Sequence, residues 1–549
     1  MRVLGINAIF HDPAAALVVD GRIVAAAEEE RFSRRKHGKR PVPFSAWELP
    51  EQAAQWCLRT AGISPADVDA IGYSYDPAVV DHSVEGIDPG WEKLRTLYAR
   101  RAPHFLQTVL PGLDPGRFRF VRHHVAHAAS AGLAAPFGEC AVLVSDGRGE
   151  VSSMLAGEYR EGKLIELATQ RLPHSLGLMY EDLTEHLGFH RSSDEYKVMA
   201  LASYGTPRFL PELSELIRAT GDGGFRTDPV DWSRYAPART GDTDPLPEHA
   251  DLAASVQRRL EDVLLDLARW LHEQTGQHRL ALAGGTALNC VANTRLFAES
   301  PFDEIWVQPA SGDAGTALGA ALHVAAELGE PAERMRGADL GRGWTDEQLQ
   351  QRLDRARLPY ERPADVATEA AAALADDQVV AWFAGRSEFG PRALGHRSLL
   401  AHPGRAGNLD RLNDIKGRER FRPVAPMVLA HRAAELFGRG PLPSPYMLFV
   451  HDVAPEWRDR IPAVTHVDGT ARIQTVDAAD DPTLARLLTQ FEHRTGLPVV
   501  VNTSLNTAGR PMVDDPADAL ELFGAYPVDV LVIGPFVVRR AHLRERSRP

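Results

Sequence analysis

The sequence predicts an α/β protein in which two related lobes precede a separate α/β domain, and three observations carry that prediction. One strand pattern occurs twice. Residues Arg2–Asn7, Ala14–Val19 and Arg22–Ala27 read as three strands, with Asp20-Gly21 a tight hairpin signal before the third. About 140 residues later Cys140–Gly147, Ser152–Tyr159 and Glu161–Leu167 repeat the order strand, polar loop, strand, glycine turn, strand. Such a duplication predicts two lobes facing one another across a cleft. The second observation is a pair of strand–glycine–helix junctions, Arg279–Asn289 and Asp303–Gly315. Glycine there lets the backbone approach a nucleotide, and the following helix N-terminus favours an anion. The third is a Glu-, Gly- and Arg-rich stretch from Gly329 to Thr345. A boundary there gives domains 1–335 and 336–549, in keeping with a chain too long for one core.

The second domain reads as helices at Asp346–Arg357 and Asp365–Leu374 and a buried strand at Gln378–Phe383. Further strands are expected at Pro498–Val501 and Val528–Ile533, with Asp515-Pro516 starting a helix between them. A hydrophobic share of 44% and a charged share of 25% are ordinary for globular chains. The net charge of −13 argues against a general binder of nucleic acid or anionic membrane. Cys57, Cys140 and Cys290 form no Cys-x-x-Cys motif and suggest a reducing compartment. With no signal-peptide pattern and no long apolar run, a soluble cytoplasmic protein is expected.

The most informative stretch is His123-His124-Val125-Ala126-His127, after the strand pattern Arg117–Val121 and opening an alanine-rich run that stops at Pro136. Alanine favours helix, so these histidines belong to a first helical turn. Residues i and i+4 share a helix face, which lets His123 and His127 hold one metal ion. Asp146, at the end of a strand, and Asp313, at a strand-to-helix turn, are the candidate partners. Either aspartate is equally readable as a turn cap beside Gly147 or Gly315. Two His with two Asp suit Fe²⁺, Zn²⁺ or Mn²⁺. His11, in the loop after the first strand, is a group able to take a proton from an alcohol.

Two basic segments complete the set. Arg31–Arg40 holds six cations in ten residues, readable as a solvated loop or as a capture site for phosphate or carbamoyl groups. Gly385–Ser398 packs three arginines between glycines after a strand, followed by Lys416–Pro423 and by Val501–Asn506. Arginine's planar fork grips phosphate, and Asn and Ser orient a small amide beside it.

The duplicated meander resembles the actin, sugar-kinase and chaperone ATPase superfamily. More specifically, the chain resembles the O-carbamoyltransferases, the family of the nodulation-factor enzyme and of enzymes decorating antibiotics. The motifs are Phe10-His11-Asp12 with Ala14–Ala16, Ala27–Phe32 with Lys36–Gly38, and His123–Ser130. Gly390–Gly395, Arg422–Pro426 and Asn502–Asn506 follow in order, so the match spans the chain. The resemblance implies a duplicated actin/hexokinase-like ATPase fold followed by a YrdC-like domain. The latter would bind carbamoyl phosphate and use ATP, with Mg²⁺, to make carbamoyl-adenylate and pyrophosphate. The former, similar to threonylcarbamoyl-transferring proteins, would pass the carbamoyl group to an acceptor hydroxyl beside an iron ion. Carried over, His11 is the proton acceptor and Lys36 contacts the carbamoyl-adenylate. His123, His127, Asp146 and Asp313 are then the metal ligands, and Gly284 and Gly285 line the nucleotide. Arg392, Arg422, Asn502 and Ser504 bind carbamoyl phosphate. His396 stands where family members commonly have glutamine. The acceptor would be a small molecule, such as an antibiotic or other natural product. Its contacts are expected from Trp-bearing loops within Tyr73–Leu110 and Gly205–Glu248. The rival readings are a kinase of the same superfamily, a tRNA threonylcarbamoyltransferase and a nucleotide-gated scaffold.

Overall fold

A computed structural model of the protein describes residues 1–38, 49–81, 83–84, 89–240 and 243–546. Lys39 and Arg40 of the basic run, and parts of both acceptor stretches, lie outside the described residues. The chain forms two compact units, Met1–Gly337 and Ala338–Pro549. Among the described residues no helix is long and apolar enough to cross a membrane.

The first unit contains one design twice. Strands β1 (Arg2–Asn7), β2 (Ala14–Val19) and β3 (Arg22–Glu28) form an antiparallel meander, and β4 (Ala70–Tyr73) and β5 (Phe118–Phe120) add in parallel beyond β1. The order is β3-β2-β1-β4-β5. Strands β6 (Cys140–Ser145), β7 (Ser152–Arg160) and β8 (Lys163–Arg171) form the second meander. After a small hairpin of β9 (Ile217–Ala219) and β10 (Phe225–Thr227), β11 (Arg279–Ala283) and β12 (Glu304–Val307) add in parallel beyond β6. The order β12-β11-β6-β7-β8 is the same arrangement. Each meander also shifts register within its outer pair, at Leu17/Val18 and at Ala156/Gly157. This is the mixed α/β, duplicated architecture that the sequence predicts.

Two alanine-rich helices join the lobes. Helix His123–Gly132 follows the last strand of the first sheet but packs on β6, β7 and β11 of the second. Helix Ala314–Glu327 follows the last strand of the second sheet but packs on β1, β2 and β4 of the first. Every residue of helix His123–Gly132 is buried, as expected where small side chains let neighbours approach on all sides. The helices cross so closely that a Cβ on Gly319 would lie 1.7 Å from the Ala126 carbonyl oxygen. Exchange of helices thus brings the starts of both to one place.

The expected acceptor loops differ from the sequence reading. Most of Tyr73–Leu110 is the helix Pro89–Val109, whose Ala99, Ala102 and Leu106 enter the first lobe's core. Gly205–Glu248 carries helix Leu210–Leu216 and the β9–β10 hairpin, and Trp232 is buried in a 3-10 turn rather than lining a groove. The 29-residue helix Pro247–Thr275 buries Leu252, Val256, Leu260, Val263, Leu267 and Leu271 along one stripe.

The second unit is built on a seven-stranded sheet. Its strands are β13 (Val380–Phe383), β14 (Arg397–Ala401), β15 (Ala425–Leu429), β19 (Gln474–Val476), β20 (Val499–Ser504), β21 (Val530–Ile533) and β22 (Phe536–Arg539). The order is β19-β15-β20-β14-β13-β21-β22. A small separate sheet pairs β16 (Phe437–Gly438), β17 (His451–Val453) and β18 (Thr470–Ala471). Strand β20 runs antiparallel to both neighbours, with Ser504 opposite Ser398 and Asn502 opposite Ala425. The end of β20 therefore lies beside the beginnings of β14 and β15. Those are the places where the Arg392 and Arg422 segments enter the sheet.

Candidate active site

Helix His123–Gly132 starts where Arg122 leaves helical geometry, and Glu150 of the loop after β6 accepts the His123 backbone N–H at 2.9 Å. That bond satisfies one donor a helix start otherwise leaves open. Asp313 stands at the start of the exchanged helix, and Asp146 follows β6. Among the described residues His123, His127, Asp146 and Asp313, all buried, each present a ligand atom within 4.8 Å of the others.

The distances suit a cation better than hydrogen bonds. Nε2 of His123 is 3.5 Å from both Asp146 Oδ2 and Asp313 Oδ1. Nε2 of His127 is 3.7 Å and 3.6 Å from the same atoms. These are too long for hydrogen bonds. They match the ~3.4 Å edge of a tetrahedron with ligand bonds of about 2.1 Å. The Nε2 atoms of His123 and His127 and both Asp313 carboxylate oxygens are buried with no hydrogen-bond partner. Such groups are costly unless something binds them. The four side chains therefore fit a divalent metal. His123 Nδ1 meets the Ser74 carbonyl at 3.1 Å, which makes it the donor and leaves Nε2 as the coordinating nitrogen. His124 lies outside that cluster, with Nδ1 on Ser152 Oγ at 2.8 Å and its buried Nε2 4.0 Å from Asp146 Oδ2.

Electrostatics agree with that fit. Burial opposes charge on His123, yet the Asp313 and Asp146 carboxylates outweigh it and raise its pKa well above the usual imidazole value. Burial works against ionised Asp146 and Asp313 too. The imidazoles nevertheless hold Asp146 well below the carboxylate range, and Asp313 is lowered to about 2. His124 is pushed down to about 3 by burial and then by neighbouring His123.

Gly284 and Gly285 support this centre. Gly284 adopts φ +90° and a Cβ there would come 2.2 Å from the Ser145 carbonyl oxygen. Gly285 N–H donates to Asp146 Oδ1 at 2.8 Å and so aims that carboxylate. His11 reaches the same place from the other lobe, its Nε2 3.7 Å from Asp313 Oδ2. Lys36 is half-buried in the 3-10 turn Lys36–Gly38. Arg31 does not serve as a surface cation, because it is buried and paired with Glu28 at 3.2 Å. Glu195 escaped the sequence reading. One of its oxygens is buried without a partner, and burial followed by the Glu181 charge pushes its carboxyl up to about 7.

In the second unit two of the three glycine-flanked arginines are structural, which corrects the reading of that loop as a triple-arginine anion site. Arg397 is fully buried over the Phe383 ring and donates to the carbonyls of Ala384, His396 and Arg342. Arg386 donates to the Gly341 carbonyl. Arg392 remains half-buried in the same loop. Asn502 is buried and holds that loop, donating to the Ala393 carbonyl at 3.1 Å and to Gln474 Oε1 at 2.7 Å. Arg422 lies 3.4 Å from Glu419. Ser504 meets a residue the reading did not single out. Lys416 Nζ, nearly inaccessible, donates to Ser504 Oγ at 3.0 Å and Asn506 Oδ1 at 2.7 Å. This buried lysine, the last residue of helix Gly407–Lys416, was visible only as part of a basic run.

Residues 2–322 match the family described as the carbamoyltransferase N-terminus, and residues 371–540 match the carbamoyltransferase C-terminus. Nodulation protein NolNO of Sinorhizobium fredii is 39% identical over 97% of this chain and 80% of its own length. Nodulation protein U of Bradyrhizobium diazoefficiens is 32% identical over 95% of both. The solved structure of T. kodakarensis HypF aligns with 60% of this chain and 48% of its own at 14% identity and a TM-score of 0.37, too loose to carry the fold. With both halves matched and relatives aligned along nearly its whole length, the chain belongs to the carbamoyltransferase family and is a carbamoyltransferase enzyme.

Proposed function

We propose that the protein is an ATP-dependent O-carbamoyltransferase that works through carbamoyl-adenylate. The observation that carries the transfer half is the buried cluster of His123, His127, Asp146 and Asp313, with His11 beside it. The donor half, residues 336–549, is the YrdC-like activating domain. There Arg392 and Arg422 hold the phosphate of carbamoyl phosphate, while Ser504 and the loop braced by Asn502 orient its amide. Water cleaves carbamoyl phosphate to carbamate and phosphate, and a carbamate oxygen then attacks the α-phosphorus of ATP, bound with Mg²⁺, and displaces pyrophosphate. Activation is needed because nitrogen donates into a carbamoyl carbonyl and makes its carbon a poor electrophile.

Residues 1–335 carry out transfer. His123, His127, Asp146 and Asp313 would hold a divalent metal, Fe²⁺ in our reading, which would supply positive charge against the adenylate phosphate as a Lewis acid. Lys36 and the Gly284–Gly285 turn contact the nucleotide portion. His11 takes the proton of the acceptor hydroxyl, an effect typically worth about 10²- to 10⁴-fold. Burial of the four ligands keeps water from a hydrolysable intermediate. The acceptor is a hydroxyl of a small natural product, an antibiotic among the candidates, with neither nucleic acid nor membrane as partner. Incubation with ATP, carbamoyl phosphate and a panel of hydroxyl acceptors should yield AMP, pyrophosphate and a product heavier by one carbamoyl group. ADP with a phosphorylated acceptor would assign a kinase instead.

A further inference from the structure

The loop that carries His11 is held in an unusual way. Phe10, Asp12, Arg34 and His37 all adopt positive φ, at 54°, 49°, 60° and 59°. Non-glycine residues rarely do so, and such strain persists only where surrounding bonds over-determine it. Those bonds are present. Asn7 Nδ2 donates to the carbonyls of His11 and Asp12 at 2.9 Å each. Asp12 N–H donates to the His37 carbonyl at 3.2 Å, and His37 N–H donates to Glu30 Oε2 at 2.8 Å.

At the centre lies one carboxylate shared by two imidazoles. Asp12 Oδ2 is 2.9 Å from His11 Nδ1, and Asp12 Oδ1 is 2.7 Å from His37 Nδ1. An ionised carboxylate only accepts, so both Nδ1 atoms carry hydrogen. Neutral His11 then has its lone pair on Nε2, the atom that faces Asp313. Burial disfavours charge on Asp12, but the two imidazoles hold its carboxyl well below the usual range. Asp12, Glu30 and His37 are also spaced as a metal site would be. Their hydrogen bonds already engage His37 Nδ1 and Glu30, which marks a clamp instead.

We propose that Asp12 is the positioning residue for His11, and that His37 is the opposing arm that ties the Lys36 turn to the His11 loop. The inference rests on His11 being the proton acceptor. In the step it serves, the acceptor O–H proton goes to His11 Nε2 as the oxygen bonds to the carbamoyl carbon. The bond from that carbon to the AMP phosphate oxygen breaks, and AMP leaves with its electrons. Asp12 keeps the lone pair on the reacting side and stabilises the imidazolium that forms, a role familiar from Asp–His pairs.

The metal-loaded enzyme tests this with four variants. Asp12→Asn should lower kcat for transfer by about 10²- to 10³-fold. KM for the acceptor, bound metal and carbamoyl-phosphate-dependent pyrophosphate release should stay unchanged. His37→Ala should lose about tenfold, and His37→Asn, whose amide N–H replaces the Nδ1 donor, should recover most of that rate. A kcat within about threefold of wild type in Asp12→Asn, with His11→Ala inactive, would overturn the clamp and leave the proton acceptor standing. Full transfer by His11→Ala would overturn both. Joint loss of metal, pyrophosphate release and kcat in Asp12→Asn would make the carboxylate structural and equally overturn the proposal.

Discussion

In the first unit, Nε2 of His123 and His127 and the carboxylate of Asp313 come together buried and without hydrogen-bond partners, whereas in the second Lys416 donates to Ser504 and Asn506, and Asn502 donates to Ala393 and Gln474 with its Oδ1 left open. The difference teaches what each site asks of its ligand. Leaving a buried donor or acceptor unpaired costs about 1–3 kcal/mol, so a cation that completed the first site would stabilise it. The second is more fully bonded, so an incoming phosphate or amide must compete with bonds already made at Ser504 and Asn502 Nδ2 and finds Asn502 Oδ1 open. On the proposed function, the first site would retain a resident ion and the second would bind and release a substrate.

The strongest way to break this comparison is to remove a metal ligand. Asp313→Asn should weaken binding of Fe²⁺ or Mn²⁺ by at least about 100-fold in calorimetric titration, because this buried carboxylate neutralises half of the ion's charge. Unchanged affinity would mean that the cluster is a structural network. Lys416→Met should act on the other side. It removes the hydrogen bonds to Ser504 and Asn506 and should cost about 2–4 kcal/mol in urea unfolding of the second unit. Metal affinity should not change. The smallest effect concerns pH. Folding favours the neutral form of Glu195, whose carboxyl rises from 4.5 to about 7, so its contribution is complete below 4.5 and is lost as pH rises through 7. Glu195→Gln should therefore match wild type at pH 4 and exceed it by about 1–2 kcal/mol at pH 8, allowing for partial solvent exposure. Identical pH–stability curves would remove Glu195 from the account.

Much of this was legible in the sequence where the signal is local. The repeated meander follows from alternating apolar residues and from Asp20-Gly21 and Glu161-Gly162, which are hairpin chemistry. His123 and His127 share a face because a helix repeats near four residues. Long-range facts were not legible. No local pattern says that Ala126 and Gly319 cross, and that crossing brings Asp313 to the histidines. Nor does spacing separate Arg397, which is spent on four backbone carbonyls, from Arg392 five residues earlier. Asp12 and His37 are 25 residues apart and meet only in the fold. Helix Pro247–Thr275 is the opposite case, since its apolar stripe was there to be read.

The division of labour between the units is tested most directly by His127→Ala in one reaction with ATP, carbamoyl phosphate and acceptor, followed by phosphorus NMR and mass spectrometry. The account predicts that pyrophosphate continues to form near the wild-type rate while carbamoylated product falls by at least about 10³-fold, since the variant loses its metal but keeps the activating domain. Simultaneous loss of both, or survival of both, would contradict it.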